Sequence, residues 1–426
     1  MKIRLLISGM MSKVKSIIAR YKGETNFAIS NIITSCISLI TGVIAATFIG
    51  PEELGIIQTV LLVSTYASFI HLGVFSGLNR NLAYYKAKED FKTMQDEINT
   101  SYIISYIVSA ISGFIGIGVF VYYFINGYNN IYLFSCVFLI ATLILTPIIT
   151  NIEATYKSGQ EFNRLGNIKN IQSVIYLVVS FLPAVIGVAG RIVAGTINMI
   201  IGYILRILNP PYKRTGNGSF KSFKDLLYTG FPILISGYIW SVTNVIDKTY
   251  IAASFTPRDV GLYTIAVYCV TLFMMIPTSI SALLYPKAAA IYGKTGEKNT
   301  LLGFWNRSLL LMIITLIPII IVAYIILPSI VDYVMPLYTD GIVAARITLL
   351  TCSTFIYFGP SALFGTLKKN VLNIIVQIII LALFLLILNL FRNYFITIES
   401  VAWLRFALSF IHMIFVLIYT RYLLLK

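Results

Sequence analysis

The chain has 426 residues, of which 58% are hydrophobic and only 11% charged, and its net charge is +16. Soluble domains carry about 25% charged residues, so too few are present to cover a water-exposed surface, and a soluble enzyme or nucleic-acid-binding domain is excluded. The basic residues fall in short gaps between apolar runs, where they face anionic lipid headgroups rather than nucleic acid.

Residues 1–25 form the first element. Leu6, Met10, Val14 and Ile17 share one side, with Lys13, Arg20 and Lys22 elsewhere, the pattern of an amphipathic interfacial helix. No cleavable signal peptide is evident, because the basic residues are spread through the segment instead of preceding one apolar core. A helix needs about 20 mostly apolar residues to cross a bilayer. Twelve runs are candidates, the sixth being the shortest: 26–49, 55–78, 98–123, 131–154, 168–188, 192–208, 226–253, 260–285, 309–334, 341–364, 371–391 and 398–421. Spans five and six nearly touch at Gly190–Arg191, which suggests a tight hairpin there.

Lysines and arginines gather on one side, in the amino terminus, the even-numbered junctions and the carboxyl terminus. The other side holds only Arg191, Arg258 and Arg392. Both termini are therefore expected to be cytoplasmic. The opposite loops are short turns such as GPEEL, NGYNN and TPRDV, too small to position a glycan donor and acceptor for polymerisation or ligation. Cys36, Cys136, Cys269 and Cys352 lie inside apolar runs without metal or redox spacing and read as packing residues.

IGPEELGIIQTV at 49–60 and FTPRDVGLYTIA at 255–266 are related by a shift of 206 positions. Pro51 falls on Pro257, Glu53 on Asp259 and Gly55 on Gly261, and Ile29, Ser30, Ile33, Ser35, Ile40 and Ala46 also find identical partners. In each kink the proline ends one helix, the acid caps the next, and the glycine permits a turn. Six spans per repeat make the halves parallel, about an axis along the membrane normal. The expected organisation is an all-α membrane protein: a terminal segment 1–25, a six-helix bundle 26–208, a linker 209–225 and a second six-helix bundle 226–426, around a central cavity.

TGVIAATFIGPEELGIIQTVLLV and GVFSGLNRNLAYYKAKED resemble the opening of bacterial polysaccharide flippases of the O-antigen (Wzx) type. YKSGQEFNRLGNIKNIQSV and NVIDKTYIAASFTPRDVGLYTIAV are similar to the same family, part of the multidrug/oligosaccharidyl-lipid/polysaccharide exporter (MOP) superfamily. The resemblance covers most of the chain, best in 26–92 and 226–293. One departure is IHLG at 70–73, where His71 stands in place of an acidic residue common in relatives, so no carboxylate role transfers. The resemblance implies that an undecaprenyl-diphosphate-linked oligosaccharide, an O-antigen or related lipopolysaccharide unit, moves from the inner to the outer leaflet of the bacterial cytoplasmic membrane. It implies alternating access, no covalent chemistry, and neither metal nor cofactor. The driving force is either a gradient of H+ or Na+ or downstream consumption of the product, and the partners to consider are membrane lipids and a polysaccharide polymerase complex.

Charges at membrane depth are costly and usually face a cavity. Asp247 and Lys248, beside Asn244 on a polar helix side, either line that cavity or snorkel from the end of span seven. Arg346 and Arg405 offer guanidinium groups for a diphosphate; the alternative is a structural ion pair with Asp247. Asn79 and Arg80 are placed to meet an entering diphosphate or to hold orientation. His71 and Asp247 are candidates for proton or cation coupling, with packing as the plainer role for His71. Glu153 is a third coupling candidate, or a partner for Lys157 one helical turn on. Two other functions compete: a cation-coupled multidrug antiporter of the same superfamily, and a membrane glycan polymerase or ligase.

Overall fold

The structure, a computed structural model, describes residues 22–295, 297–367 and 369–425, and every regular element among them is helical. Most of the expected amphipathic segment 1–25 lies outside these residues. Helices α1 (Lys22–Phe48) and α2 (Pro51–Ala67) lead through a 3₁₀ turn (Ser68–His71) to α3 (Val74–Ala87). There follow α4 (Phe91–Ile125), α5 (Asn130–Ser158), α6 (Phe162–Val179), α7 (Pro183–Ile207), α8 (Phe220–Thr243) and the short α9 (Ile246–Ser254). The chain continues through α10 (Pro257–Thr295), α11 (Leu302–Val334), α12 (Ile342–Ser353), α13 (Phe358–Thr366), α14 (Asn370–Leu390) and α15 (Ile398–Leu425).

Among the described residues, 11 helical stretches are long and apolar enough to cross a membrane, one fewer than expected. The difference lies in α6, which carries Asn163, Arg164, Asn167, Lys169, Asn170 and Gln172. Its polar side chains are used against neighbours: Lys169 donates to Asn31 (3.1 Å), Ser173 to Thr34 (3.1 Å) and Gln172 to Asn198 (3.1 Å). The turn into α7 also comes earlier than Gly190–Arg191. It spans Ser180–Leu182, Pro183 opens α7, and a kink follows at Ile186–Gly187. Gly187 has φ +55°, a left-handed conformation in which a β-carbon would be strained. The expected seventh span is broken at Asn244–Val245, between α8 and α9.

The described residues form two compact units. One takes the chain up to Thr41 together with Tyr66–Ile235; the other takes Gly42–Thr65 together with the chain from Ser236. This division differs from the bundles read in the sequence, since 42–65 pack in the second unit and 226–235 in the first. In the first unit Val74, Leu78 and Leu82 of α3 meet Ile98 and Tyr102 of α4, Ile152 and Tyr156 of α5, and Leu226 of α8. A smaller cluster in the second unit joins Ala288, Leu301, Trp305, Leu363 and Leu424, where the Trp305 indole donates to Thr420 (2.9 Å).

The kinks have the expected caps. Glu53 accepts from the Gly50 amide (3.3 Å), and Asp259 accepts from the amide (3.0 Å) and hydroxyl (2.7 Å) of Thr256. Pro51 and Pro257 occupy the first helical positions, where no amide proton is needed. The glycines do something else. Gly55 and Gly261 lie inside α2 and α10 rather than in turns. A β-carbon on Gly55 would sit 1.7 Å from the Pro257 carbonyl oxygen, and one on Gly261 would sit 1.7 Å from that of Pro51. Each motif's glycine thus receives the other motif's proline carbonyl, the reciprocity a two-fold relation produces.

Candidate functional site

The break at Asn244–Val245 restarts the helix so that Asp247 lies in the first turn of α9, where a helix N-terminus favours a carboxylate. Asp247 and Lys248 are both buried, as is Arg405 of α15. Asp247 Oδ1 pairs with Arg405 at 2.5 Å and accepts from the Lys248 amide at 2.8 Å. Its Oδ2 accepts from the Tyr263 hydroxyl at 2.5 Å. Arg405 also reaches the Asn244 carbonyl (3.4 Å), while Lys248 Nζ donates to Gln58 Oε1 of α2 (2.6 Å). All of these residues belong to the second unit.

Of the alternatives weighed for this group, the Asp247–Arg405 ion pair is realised, and snorkelling of Asp247 and Lys248 is not, because both are buried within the unit. The pair also faces open space. Asp247, Asn244, Tyr263 and Arg405 line a cavity of about 1010 Å³ together with Met274 and Met275. Asn244, Arg405 and Trp240 also line a neighbouring cavity of about 630 Å³ with Tyr357, Gln377 and His412. One guanidinium therefore stands between two cavities. It uses Nη1 for both contacts described, which leaves further donors in its planar fork.

Arg346 is elsewhere. Its Nε donates to the Tyr324 carbonyl (3.2 Å) and its guanidinium lies 4.8 Å from the Tyr324 ring, away from both cavities. It makes no ion pair with Asp247. Arg346→Ala removes one hydrogen bond and one ring contact at a half-buried position and is expected to cost about 1 kcal/mol; thermal unfolding in detergent measures this.

In the first unit, Glu153 does pair with Lys157 (3.5 Å), and it also meets Lys169 (3.7 Å) and Arg206 (2.8 Å). Arg206 is buried and divides its donors between Glu153, the Gln172 side chain (2.8 Å) and the Gly202 carbonyl (2.7 Å). This network ties α5, α6 and α7. Glu153→Ala would strand the buried Arg206, at a cost of about 3–5 kcal/mol, read as a lower unfolding midpoint and less folded protein.

Asn79 and Arg80 are exposed on α3, where Arg80 lines a polar cavity of about 580 Å³ with Asn81, Tyr84 and Asp225. His71 is half-buried at the end of the 3₁₀ turn. Its Nδ1 accepts from the Gly73 amide (3.1 Å) and its ring packs 4.9 Å from Phe75, the contacts of a turn-closing residue. Among the described residues no cluster of three metal-ligating acids, histidines or cysteines occurs.

Residues 22–292 match the family of polysaccharide biosynthesis proteins. The chain belongs to this family. No curated protein matches it in sequence. In fold, this polysaccharide biosynthesis protein is similar to an inward-facing multidrug resistance MATE family transporter of the MOP superfamily. Identity is 14%, coverage 93% of this chain and 98% of that one, and the TM-score 0.75. It is also similar to an outward-facing MATE family transporter (14% identity, 95% of each chain, TM-score 0.66). A third likeness is to a MOP superfamily transporter from Pyrococcus furiosus for which a reversed pocket polarity suggests a different function (13% identity, 95% of each chain, TM-score 0.63). The fold is therefore the all-helical one of these MOP superfamily transporters, with 11 helical stretches among the described residues long and apolar enough to cross a membrane.

Several partners in this family member were not singled out from sequence. Tyr263 and Gln58 close around Asp247 and Lys248, Arg206 joins Glu153, and His412 lines the smaller cavity. Arg206 and His412 carried a signal, as ionisable residues within or at the end of apolar runs. Gln58 and Tyr263 carried none, since one polar side chain per helix is common in membrane spans.

Proposed function

We propose that this protein is a flippase that carries an undecaprenyl-diphosphate-linked oligosaccharide between leaflets by alternating access. Family membership supplies the polysaccharide context and the MOP fold supplies the transporter architecture. The observation that carries the reading is the buried Arg405 at the wall shared by two cavities. A guanidinium with unused donors can grip a diphosphate through parallel hydrogen bonds, while the methionine-rich wall adapts to an irregular cargo. Arg80, exposed beside a polar cavity of the first unit, is proposed as an earlier diphosphate contact. On this reading the membrane is the bacterial cytoplasmic membrane, both termini are cytoplasmic, and a polymerase consumes the flipped product.

Deleting the gene in its host tests the proposal. Mass spectrometry of lipid-linked intermediates, with a glycosidase confined to the outer leaflet, should find one complete oligosaccharide accumulating in protected form. A normal pool with normal surface glycan would remove the flippase reading. The likeness to MATE transporters favours a second reading, multidrug antiport. Under that reading the deletion leaves glycan intact and sensitises the cell to cationic dyes.

A further inference from the structure

The first unit contains a carboxyl group that none of the roles above uses. Glu97 lies in the second turn of α4 and is completely buried, at 0% exposure. One oxygen accepts from the Asn81 amide of α3 (2.9 Å); the other, Oε2, has no hydrogen-bond partner among the described residues. No lysine, arginine or histidine pairs with it among the described ion pairs. The charge that reaches it is a like one, Asp225 of α8. Tyr85 of α3 lies within electrostatic reach of both acids, and of Asp90 and Tyr84 as well. The opposing helix, α5, contributes the apolar surface of Ile152 and Tyr156 to the same cluster.

An ionised carboxylate in this setting would have one amide partner, an orphan oxygen and a negative neighbour, and its desolvation would be almost uncompensated. A proton removes the charge, the larger part of that penalty. We propose that Glu97 and Asn81 form a proton-binding site, with the carboxyl protonated in the structure described and its proton exchanged through the polar cavity that Asn81 also lines. Asn81 is buried and bridges the two: its side chain touches Glu97, and the residue borders the cavity beside Arg80 and Asp225.

Loss of the proton does more than change a charge. The carboxylate must then draw in water or a cation, and the contact available to open is that between α3 and α4. Helix α3 begins after Leu72 and Gly73, both at positive φ (46° and 88°), and it carries Asn79 and Arg80 on its exposed side. Proton release at Glu97 therefore loosens the helix that presents Arg80. This makes the site the point where a proton gradient acts on the first unit. Coupling to transport rests on the flippase reading; proton binding does not.

The test is infrared titration of the purified protein in lipid nanodiscs, with hydrogen exchange of α3 measured on the same samples. A protonated-carboxyl band should be present at neutral pH, absent from Glu97→Gln, and lost as the pH is raised. At alkaline pH, α3 amides should exchange faster in the parent than in Glu97→Gln at the same pH, and equally at acid pH. Asn81→Leu keeps the carboxyl but removes its one hydrogen bond, so the band should shift to higher frequency even if Glu97→Gln folds poorly. A parent spectrum with no such band, a band unmoved by Asn81→Leu, or exchange of α3 that ignores Glu97 overturns the proposal. None of these readouts needs the cargo, so a normal lipid-linked pool in the deletion strain would count against the flippase alone.

Discussion

Replacing Asp247 with alanine is expected to cost about 3–5 kcal/mol of stability, because it leaves Arg405 buried without its counter-charge. Although both border cavities, Asp247 is only 3% exposed and Arg405 8%, so each relies on its partner more than on water. The Tyr263 hydroxyl would lose its acceptor as well. Thermal unfolding in detergent should show the loss directly, with less folded protein recovered from membranes. Arg405→Ala should be similarly damaging, since it strands the carboxylate. The two removals share one interaction and should not add. The double replacement Asp247→Leu with Arg405→Leu should recover much of the stability, because well-packed apolar groups commonly substitute for a buried pair at little cost.

That double variant separates architecture from transport. If it folds but lets the lipid-linked oligosaccharide accumulate, the pair acts on cargo or on the conformational cycle. If it folds and transports, the pair is structural only and Arg405 leaves the mechanism. A stable Asp247→Ala would contradict the buried pairing itself.

How far this site was legible in the sequence follows from range. Asp247, Lys248, Arg346 and Arg405 stood out one by one because ionisable groups are rare in apolar runs. Which arginine would meet Asp247 depends on the packing of α9 against α15, and no periodicity within either helix records that. The break at Asn244–Val245 was hidden for a similar reason. No proline or glycine marks it, and Asn244, Asp247 and Lys248 read equally well as the polar side of one continuous helix. The polar α6 shows the opposite failure. Its length and position suggested a span, but Asn163 and Lys169 are satisfied by α1 and Gln172 by α7, which only the packed unit reveals. The spans around it were legible because a bilayer imposes length and polarity on each helix locally.

The repeated Pro-x-acid-aliphatic-Gly motif was also visible, and its caps form as expected, but its glycines serve helix contact rather than turns. Gly55→Ala and Gly261→Ala are therefore expected to be among the most damaging single-methyl additions in the second unit. Each places a β-carbon 1.7 Å from a carbonyl oxygen of the facing helix, on Pro257 and Pro51 respectively. A clash with a side chain can be relieved by a rotamer change, whereas a backbone oxygen moves only if α2 and α10 separate. Overpacking of this kind typically costs about 1–3 kcal/mol, occasionally more. Gly237→Ala is the control: nothing lies within 4 Å of its added carbon, and it should gain up to about 1 kcal/mol from helix propensity. Because either alanine alone forces the same two helices apart, the second should cost less than the first, and the double variant should fall short of the sum. Equal stability of Gly55→Ala and the parent would show that the two proline carbonyls do not meet the opposite glycines, and would remove the physical support for the duplication.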